Sequence, residues 1–260
     1  MSKQEPKNNI SISSILTLAG FDGTGGAGIS TDIKVCSFLK VPNVSVVTCV
    51  VIQNPLEVKE TINIKPEDIK KQILILKEYY DIRILNIGLF GEPEILDFCI
   101  PLFPRSKIIF DPILASGSGG FKFVPDDQIK TIRSHFKDFF LLTPNISEAE
   151  TLSGQEIQSL EDVKKSAIIL KKMGAQNILI KGGHLEAGKC YDTLYSQDKF
   201  ITFCSSRKRF RIHGTGSFLN AGIAAYTFLG ADLNTSIKKS KRLLRHALRQ
   251  VINKNPILVI

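Results

Sequence analysis

The chain has 260 residues, 43% of them apolar, with 34 Lys and Arg against 25 Asp and Glu, a formal net charge of +9. That length and composition suit one domain with a full core and exclude a disordered tail or a repeat of biased composition. The five cysteines, Cys36, Cys49, Cys99, Cys190 and Cys204, form no C-x-x-C pair and have no nearby histidine at metal-ligand spacing, so buried free thiols are expected rather than a zinc module.

Residues 1–9 carry charges and amides without the apolar run of a signal peptide, and no window approaches 18 uninterrupted apolar residues. Cytoplasm is therefore the expected location, with residues 1–14 a flexible extension and residues 15–260 a single domain. Residues 15–19 read as a buried strand, 20–28 as a glycine-rich turn and 29–39 as a helix. The β-branched segment 44–52 is a strand. After the Asn54-Pro55 turn, 58–64 alternates like an edge strand, and Pro66 opens a helix to about residue 79. Further strands are expected over 82–87, 107–110, 139–143 and 178–181, alternating with helices over 93–103, 125–135, 147–153 and 160–173. Residues 191–195 and 200–203 read as a hairpin across 196–199, and 218–228 as a buried helix. The final helix puts Ile237, Leu244, Leu248 and Val251 on one face and six basic residues between Lys238 and Arg249 around the remainder, a solvated surface. Four more basic residues lie between Arg207 and Arg211, where they suit attraction of a polyanionic small substrate. Aromatic residues do not alternate with either group as a single-strand stacking surface requires, and no finger or basic zipper is present, so nucleic acid is not an expected partner, nor is a membrane.

Strands separated by helices of this length indicate an α/β fold with a mainly parallel sheet and helices on both faces, whose ligands bind beyond the C-terminal strand ends. The residues that carry chemistry fall at those ends. Gly23-Thr24-Gly25-Gly26-Ala27-Gly28 has dinucleotide-fingerprint spacing, but the next strand leads into Gln53 and Asn54 without the ribose-binding acid, and no P-loop lysine follows. The glycines instead let backbone approach a compact ligand, with Asp32 either pointing into the cleft or serving as a solvent-facing first-turn acid. The amide of Gln53 suits the edge of a heteroaromatic ring, or bonds its own turn. Leu89 is an apolar wall or a core residue. Asp111-Pro112 and Thr143-Pro144-Asn145-Ile146-Ser147-Glu148 follow two strands, where oxygen ligands can hold hydrated Mg²⁺ beside phosphate; Glu148 could equally cap the helix beginning near Ser147. Lys181-Gly182-Gly183-His184 sets a point charge at a further strand end. The sharpest segment is Gly214-Thr215-Gly216-Ser217, where a turn changes abruptly into buried-helix composition and free amides would face a phosphate.

In order and spacing, Gly20 to Ile29 with Asp32, Gln53-Asn54, Ile87-Gly88-Leu89, Asp111-Pro112, Thr143-Pro144-Asn145 with Glu148-Ala149, Lys181-Gly182-Gly183-His184 and His213-Gly214-Thr215-Gly216 resemble the ribokinase-like superfamily. The resemblance covers about residues 15–248 and is strongest to hydroxymethylpyrimidine and phosphomethylpyrimidine kinases. It implies a ribokinase-like fold with a small edge-strand element over the site. The activity it implies is ATP-dependent phosphorylation of 4-amino-5-hydroxymethyl-2-methylpyrimidine or its monophosphate in thiamine biosynthesis. By the same resemblance the pyrimidine would lie near Ala27, Asp32, Gln53 and Leu89, and the nucleotide phosphates near Asp111, Asn145, Glu148 and Lys181. Mg²⁺ would sit on Asp111 and Glu148, and the amides of Gly214, Thr215 and Gly216 would form an anion hole. Lys181 would neutralise the transferring phosphate, Ser217 would orient the acceptor, and a homodimer is frequent in the family.

Relatives carry cysteine where Ser217 stands, and related vitamin or sugar kinases carry aspartate. Gly117-Ser118-Gly119 also departs from the usual Lys-Ser-Gly or Thr-Ser-Gly, and Phe21 and Gly23-Thr24 vary the first glycine segment. Serine is a poor proton acceptor, whereas the oxygen of a phosphate monoester is already largely ionised near pH 7. The monophosphate is therefore the expected acceptor. A pyridoxal-type kinase, or a pyrimidine-binding regulatory protein with weak or absent catalysis, are the alternatives.

Overall fold

A computed structural model of the chain describes residues 11–54, 56–117, 120–186, 188–206 and 213–252. The chain order is β1 (Ile12–Asp22), α1 (Gly28–Phe38), β2 (Asn43–Gln53), β3 (Val58–Asn63), α2 (Pro66–Lys77), β4 (Tyr80–Ile87) and α3 (Ile95–Cys99). It continues with β5 (Lys107–Phe110), α4 (Ile129–Ser134), β6 (Leu141–Leu142), α5 (Ile146–Ser153), α6 (Leu160–Lys172), β7 (Ile178–Glu186), β8 (Lys189–Ser196), β9 (Lys199–Ser206), α7 (Thr215–Phe228) and α8 (Leu233–Ile252). One sheet takes all nine strands in the order β3-β2-β1-β4-β5-β6-β7-β8-β9. Pairings from β2 through β1, β4, β5 and β6 to β7 are parallel; β3, β8 and β9 join antiparallel at the two edges.

Period-two alternation explains the two layers. Leu16, Leu18, Leu85, Ile87, Phe110 and Ile178 face a core covered by α2 to α6, and Ile15, Ile84, Ile109, Leu141 and Leu179 face a second core beneath α1, α7 and α8. The central strands are thus buried on both sides, which is why they read as continuous apolar runs. No helix among the described residues is long and apolar enough to cross a membrane.

Several boundaries differ from the sequence expectation for local reasons. β1 extends to Ile12 and Asp22 because it has ladder partners in β4 at its start and β2 at its end. The helix expected over 93–103 is α3 followed by a 3₁₀ turn at Ile100–Leu102, where Pro101 interrupts the α-helical bonding. The one expected over 125–135 likewise begins as a 3₁₀ turn, Asp126–Gln128, ahead of α4. The strand expected over 139–143 shrinks to Leu141–Leu142, squeezed between the 3₁₀ turn Phe136–Asp138 and Pro144. β7 runs to Glu186, past its parallel neighbour, because β8 pairs with it there. The 196–199 hairpin forms as expected, with Gln197 and Asp198 both at positive φ. Cys36, Cys49 and Cys99 are buried thiols, but Cys190 is half-buried and Cys204 exposed.

Candidate active site

The ends of β5 and β6 and the middle of β7, just past its pairing with β6, bring one charged cluster together. The Asp111 N–H donates to Ile87 O at 2.8 Å, closing the β4–β5 ladder and leaving a buried carboxylate at the strand end. Lys181 N–H donates to Pro144 O at 2.8 Å, which aligns the middle of β7 with the β6–α5 turn. From there the Lys181 ammonium reaches Asp111 Oδ1 at 2.7 Å. Burial opposes charge on Lys181, but Asp111 and Glu148 outweigh it and raise its pKa, so the group stays cationic. Burial, with Asp111 adding to it and Lys181 opposing it, pushes Glu148 up to about 8.

Asn145 and Glu148 cap α5 reciprocally. Asn145 Oδ1 accepts from Glu148 N–H at 2.9 Å, and Glu148 Oε2 accepts from Asn145 N–H at 2.8 Å. The capping alternative is therefore realised, in a place where the carboxyl also interacts with Lys181 and Asp111. Among the described residues no three His, Cys, Asp or Glu side chains form a metal cage. Two nearby carboxyls that share one ammonium suit a cation completed by phosphate and water, the habit of Mg²⁺.

The start of α7 meets this cluster. Gly214, at φ +84°, precedes the helix and has no side chain to satisfy its first amides. A Cβ at 214 would lie 1.5 Å from Gly26 O, so the two glycine segments touch backbone to backbone. A Cβ at Gly216 would lie 3.5 Å from Lys181 Nζ and 3.6 Å from Asp111 Oδ2, which puts the first turn of α7 against the ion pair. Ser217 Oγ accepts from Gly28 N–H at 3.3 Å. An anion on the amides of Thr215 and Gly216 would thus meet the ammonium of Lys181.

A small cavity opens beside these groups, with Asp32, Asn86, Leu89, Asp111, Ser217 and Asn220 in its wall. Asp32 is only 3% exposed, which rules out the solvent-facing alternative. Its Oδ2 accepts from Asn86 Nδ2 at 2.9 Å, and its Oδ1 has no partner. Burial pushes Asp32 up to about 8 against the hydrogen bonds of Asn86 and Thr17, giving a neutral carboxyl at pH 7 that can donate as well as accept. Leu89 is both wall and core, since it packs with Cys49 and Val51. Gln53 and Ala27 are not part of this wall. Gln53 Nε2 lies 3.4 Å from His213 Nε2, and Ala27 N–H donates to Asp22 Oδ2 at 2.9 Å.

Asp22 is the hub that sequence reasoning passed over. Its carboxylate takes Thr24 N–H at 2.8 Å, Thr24 Oγ1 at 2.9 Å, Ala27 N–H at 2.9 Å and His213 Nε2 at 2.8 Å. Burial works to raise its pKa, but the bonds from His213, Gln53 and Thr24 prevail and hold it well below the usual carboxylate range. Asp22 thereby ties the first glycine turn to the residue preceding Gly214. Asn86 and Asn220 were also missed, although each interrupts an apolar run, Leu85-Asn86-Ile87 and Leu219-Asn220-Ala221. The expected N-terminal extension up to Ile10, Pro55, Ser118-Gly119, the basic group at 207–211 and the side chains of His184 and Val251 lie outside the described residues.

The model of the phosphomethylpyrimidine kinase family matches residues 22–257. The hydroxymethylpyrimidine/phosphomethylpyrimidine kinase of Aquifex aeolicus (strain VF5) is 34% identical over 239 residues, 90% of this chain and 93% of that protein. The crystal structure of phosphomethylpyrimidine kinase from Clostridium difficile 630 superposes with a TM-score of 0.78 at 29% identity, over 92% of this chain and 100% of that one. The pyridoxal kinase from Staphylococcus aureus in complex with pyridoxal gives a TM-score of 0.84 at 24% identity, over 95% and 92% of the two chains, a likeness of fold.

Proposed function

Because the chain belongs to the phosphomethylpyrimidine kinase family, we propose that it phosphorylates 4-amino-5-hydroxymethyl-2-methylpyrimidine monophosphate with ATP, as a kinase of thiamine biosynthesis. The choice of the monophosphate over the free alcohol rests on Ser217. Its Oγ is engaged by Gly28 N–H in the wall of the cavity, at a position suited to orient an acceptor. A serine hydroxyl there supplies no proton acceptor for an alcohol, and an acceptor that arrives as a phosphate needs none. The other ionisable groups in that wall are Asp111, tied to Lys181, and Asp32, held neutral by burial.

Lys181 would bind nucleotide phosphate as a point charge, and the amides of Thr215 and Gly216 would stabilise charge on the transferred group. Asp111 would hold Lys181 in place. Asp111 and Glu148 would hold Mg²⁺, since their carboxylate oxygens lie beside the proposed phosphate site and suit that ion. When bound, Mg²⁺ neutralises nucleotide phosphate charge. The neutral Asp32 and Asn86 would face the pyrimidine edge, with Leu89 beside its ring. A single domain over residues 15–260, a cytoplasmic location and a homodimer complete the proposal; light scattering tests the last.

Initial rates with ATP and Mg²⁺ on the pyrimidine alcohol, its monophosphate and pyridoxal test the assignment. The monophosphate should exceed the alcohol in kcat/KM by roughly 100-fold, the low end of what a positioned base contributes. Ser217→Cys should raise the rate on the alcohol. Preference of the wild type for the alcohol or for pyridoxal would sink the assignment, and tight pyrimidine binding without turnover would point to a binding protein.

A further inference from the structure

Between Phe218 and Ala225 the helix α7 is buried throughout, and Asn220 is the polar residue within that stretch. It is 2% exposed. A buried amide is costly unless bonded, and a core helix gains nothing from it for packing. Asn220 makes one bond: its Nδ2 donates to Thr143 Oγ1 at 2.8 Å, while its Oδ1 has no partner. Thr143 is itself fully buried, and its hydroxyl faces two further oxygens, Phe110 O at 3.3 Å and Asp111 Oδ1 at 3.4 Å. Both are acceptors, so the hydroxyl gives its proton to one of them and accepts from Asn220, which fixes the orientation of the amide. Asp111 Oδ1 in turn takes the Lys181 ammonium. A polar path therefore runs from α7 across the ends of β6 and β5 to the lysine on β7.

Asn220 stands four residues after Gly216, hence on the same helix face. Gly216 is the residue that abuts Lys181 and Asp111. The apolar contacts of Leu219 and Ile223 hold α7 against the sheet, but apolar burial is non-directional and resists separation more than a small rotation or slide. We propose that Asn220 is a positioning residue: its bond to Thr143 fixes the rotation of α7, and so the spacing between the anion-binding amides and the Asp111–Lys181 pair. The inference rests on phosphoryl transfer at this site, whatever the acceptor.

Near-isosteric variants test it. Asn220→Leu should lower kcat about 10-fold or more, because misplacement far smaller than an atom's width is felt in transfer; since Asn220 also stands in the cavity wall, the acceptor KM is read on Thr143→Val, where it should stay within about two-fold. Thermal stability should be unchanged or higher, since the variant removes a half-satisfied buried amide. Thr143→Val should give a similar loss, and the double variant should be no worse than the poorer single one. Should Asn220→Leu not fold, Thr143→Val with its kcat-against-KM split carries the test. Turnover is read with the acceptor that the wild type uses best and also as slow ATP hydrolysis, so failure of the pyrimidine assignment is seen separately. Full kcat in either single variant, additive losses in the double variant, or, in Asn220→Leu, a fall in kcat that tracks a fall in Tm would overturn the role.

Discussion

Alanine at Gly214 and alanine at Gly216 should both abolish efficient transfer while moving stability in opposite directions. At 214 a side chain must adopt φ near +84°, which costs about 1–2 kcal/mol outside glycine. Its Cβ would also sit 1.5 Å from Gly26 O, so the two glycine segments must separate by a comparable distance. That separation strains the Ser217–Gly28 and His213–Asp22 bonds, each worth roughly 1 kcal/mol. A loss of about 3 kcal/mol follows, or a Tm lower by roughly 6–12 °C for a chain of this size. A displacement of that scale also costs transfer ~100-fold. At 216 the φ is ordinary and the nearest atoms would lie at 3.5 and 3.6 Å, a normal contact. Alanine in a helix is favoured over glycine by about 0.5–1 kcal/mol, so Tm should hold or rise slightly. Its methyl group, however, would occupy space beside Lys181 where an anion is expected, and the rate should fall. Calorimetric unfolding and initial rates on the two variants are sufficient. Wild-type turnover in Gly214→Ala, or a destabilised Gly216→Ala, would refute the geometry.

Lys181→Met, which keeps the stem, should lower kcat by roughly 100-fold while pyrimidine affinity measured by calorimetry changes little; equal losses of both would contradict the phosphate role. Mg²⁺-ATP binding near pH 7 should release a proton from Glu148, whose pKa stands at about 8 before a cation arrives. Calorimetry in two buffers of different ionisation enthalpy measures this, and identical heats would remove Glu148 from the ligand set. The folded pKa of Asp32, raised by burial to about 8 from the ordinary carboxyl value of 3.8, means that the native state binds this proton more tightly than the unfolded chain. Its contribution to stability is complete below pH 4 and is lost as pH rises towards 8. Asp32→Asn should therefore flatten the stability profile over that range and gain on the wild type most at the alkaline end. Denaturant midpoints at pH 5 and pH 8 check this; an unchanged slope would contradict the burial argument.

Most of the strands were legible because central parallel strands are apolar on both faces and break at polar residues. Asp111 and Lys181 stand at such breaks and Gly214 at the start of a buried helix, and the fold brings the three together. Pro101 and Pro144 mark interruptions whose consequences, a 3₁₀ turn and a two-residue strand, are decided by a missing donor rather than by periodicity. The partnerships were harder to read. Asp22 looks like any turn acid until His213 is seen beside it, and Asp32 looks like a helix-start acid until burial, against the Asn86 bond, raises its pKa. The amide of Gln53 is legible as a donor and acceptor for a ring edge, but its neighbour His213 is not. Such contacts depend on how distant segments meet, which no local window contains.

The Asp22–His213 and Gly28–Ser217 bonds join residues 191 and 189 positions apart. During synthesis all nine strands have been made by Ser206, yet Gly214 and α7 are still to come. The sheet face that α7 and α8 cover, with Ile84, Ile109, Leu141 and Leu179 in it, therefore stays open until the last segment of the chain folds back onto the first, and that same closure brings Gly214 and Ser217 to Gly26 and Gly28. Completion of the core and assembly of the cavity wall are one event, so a chain cut short after β9 should lack both.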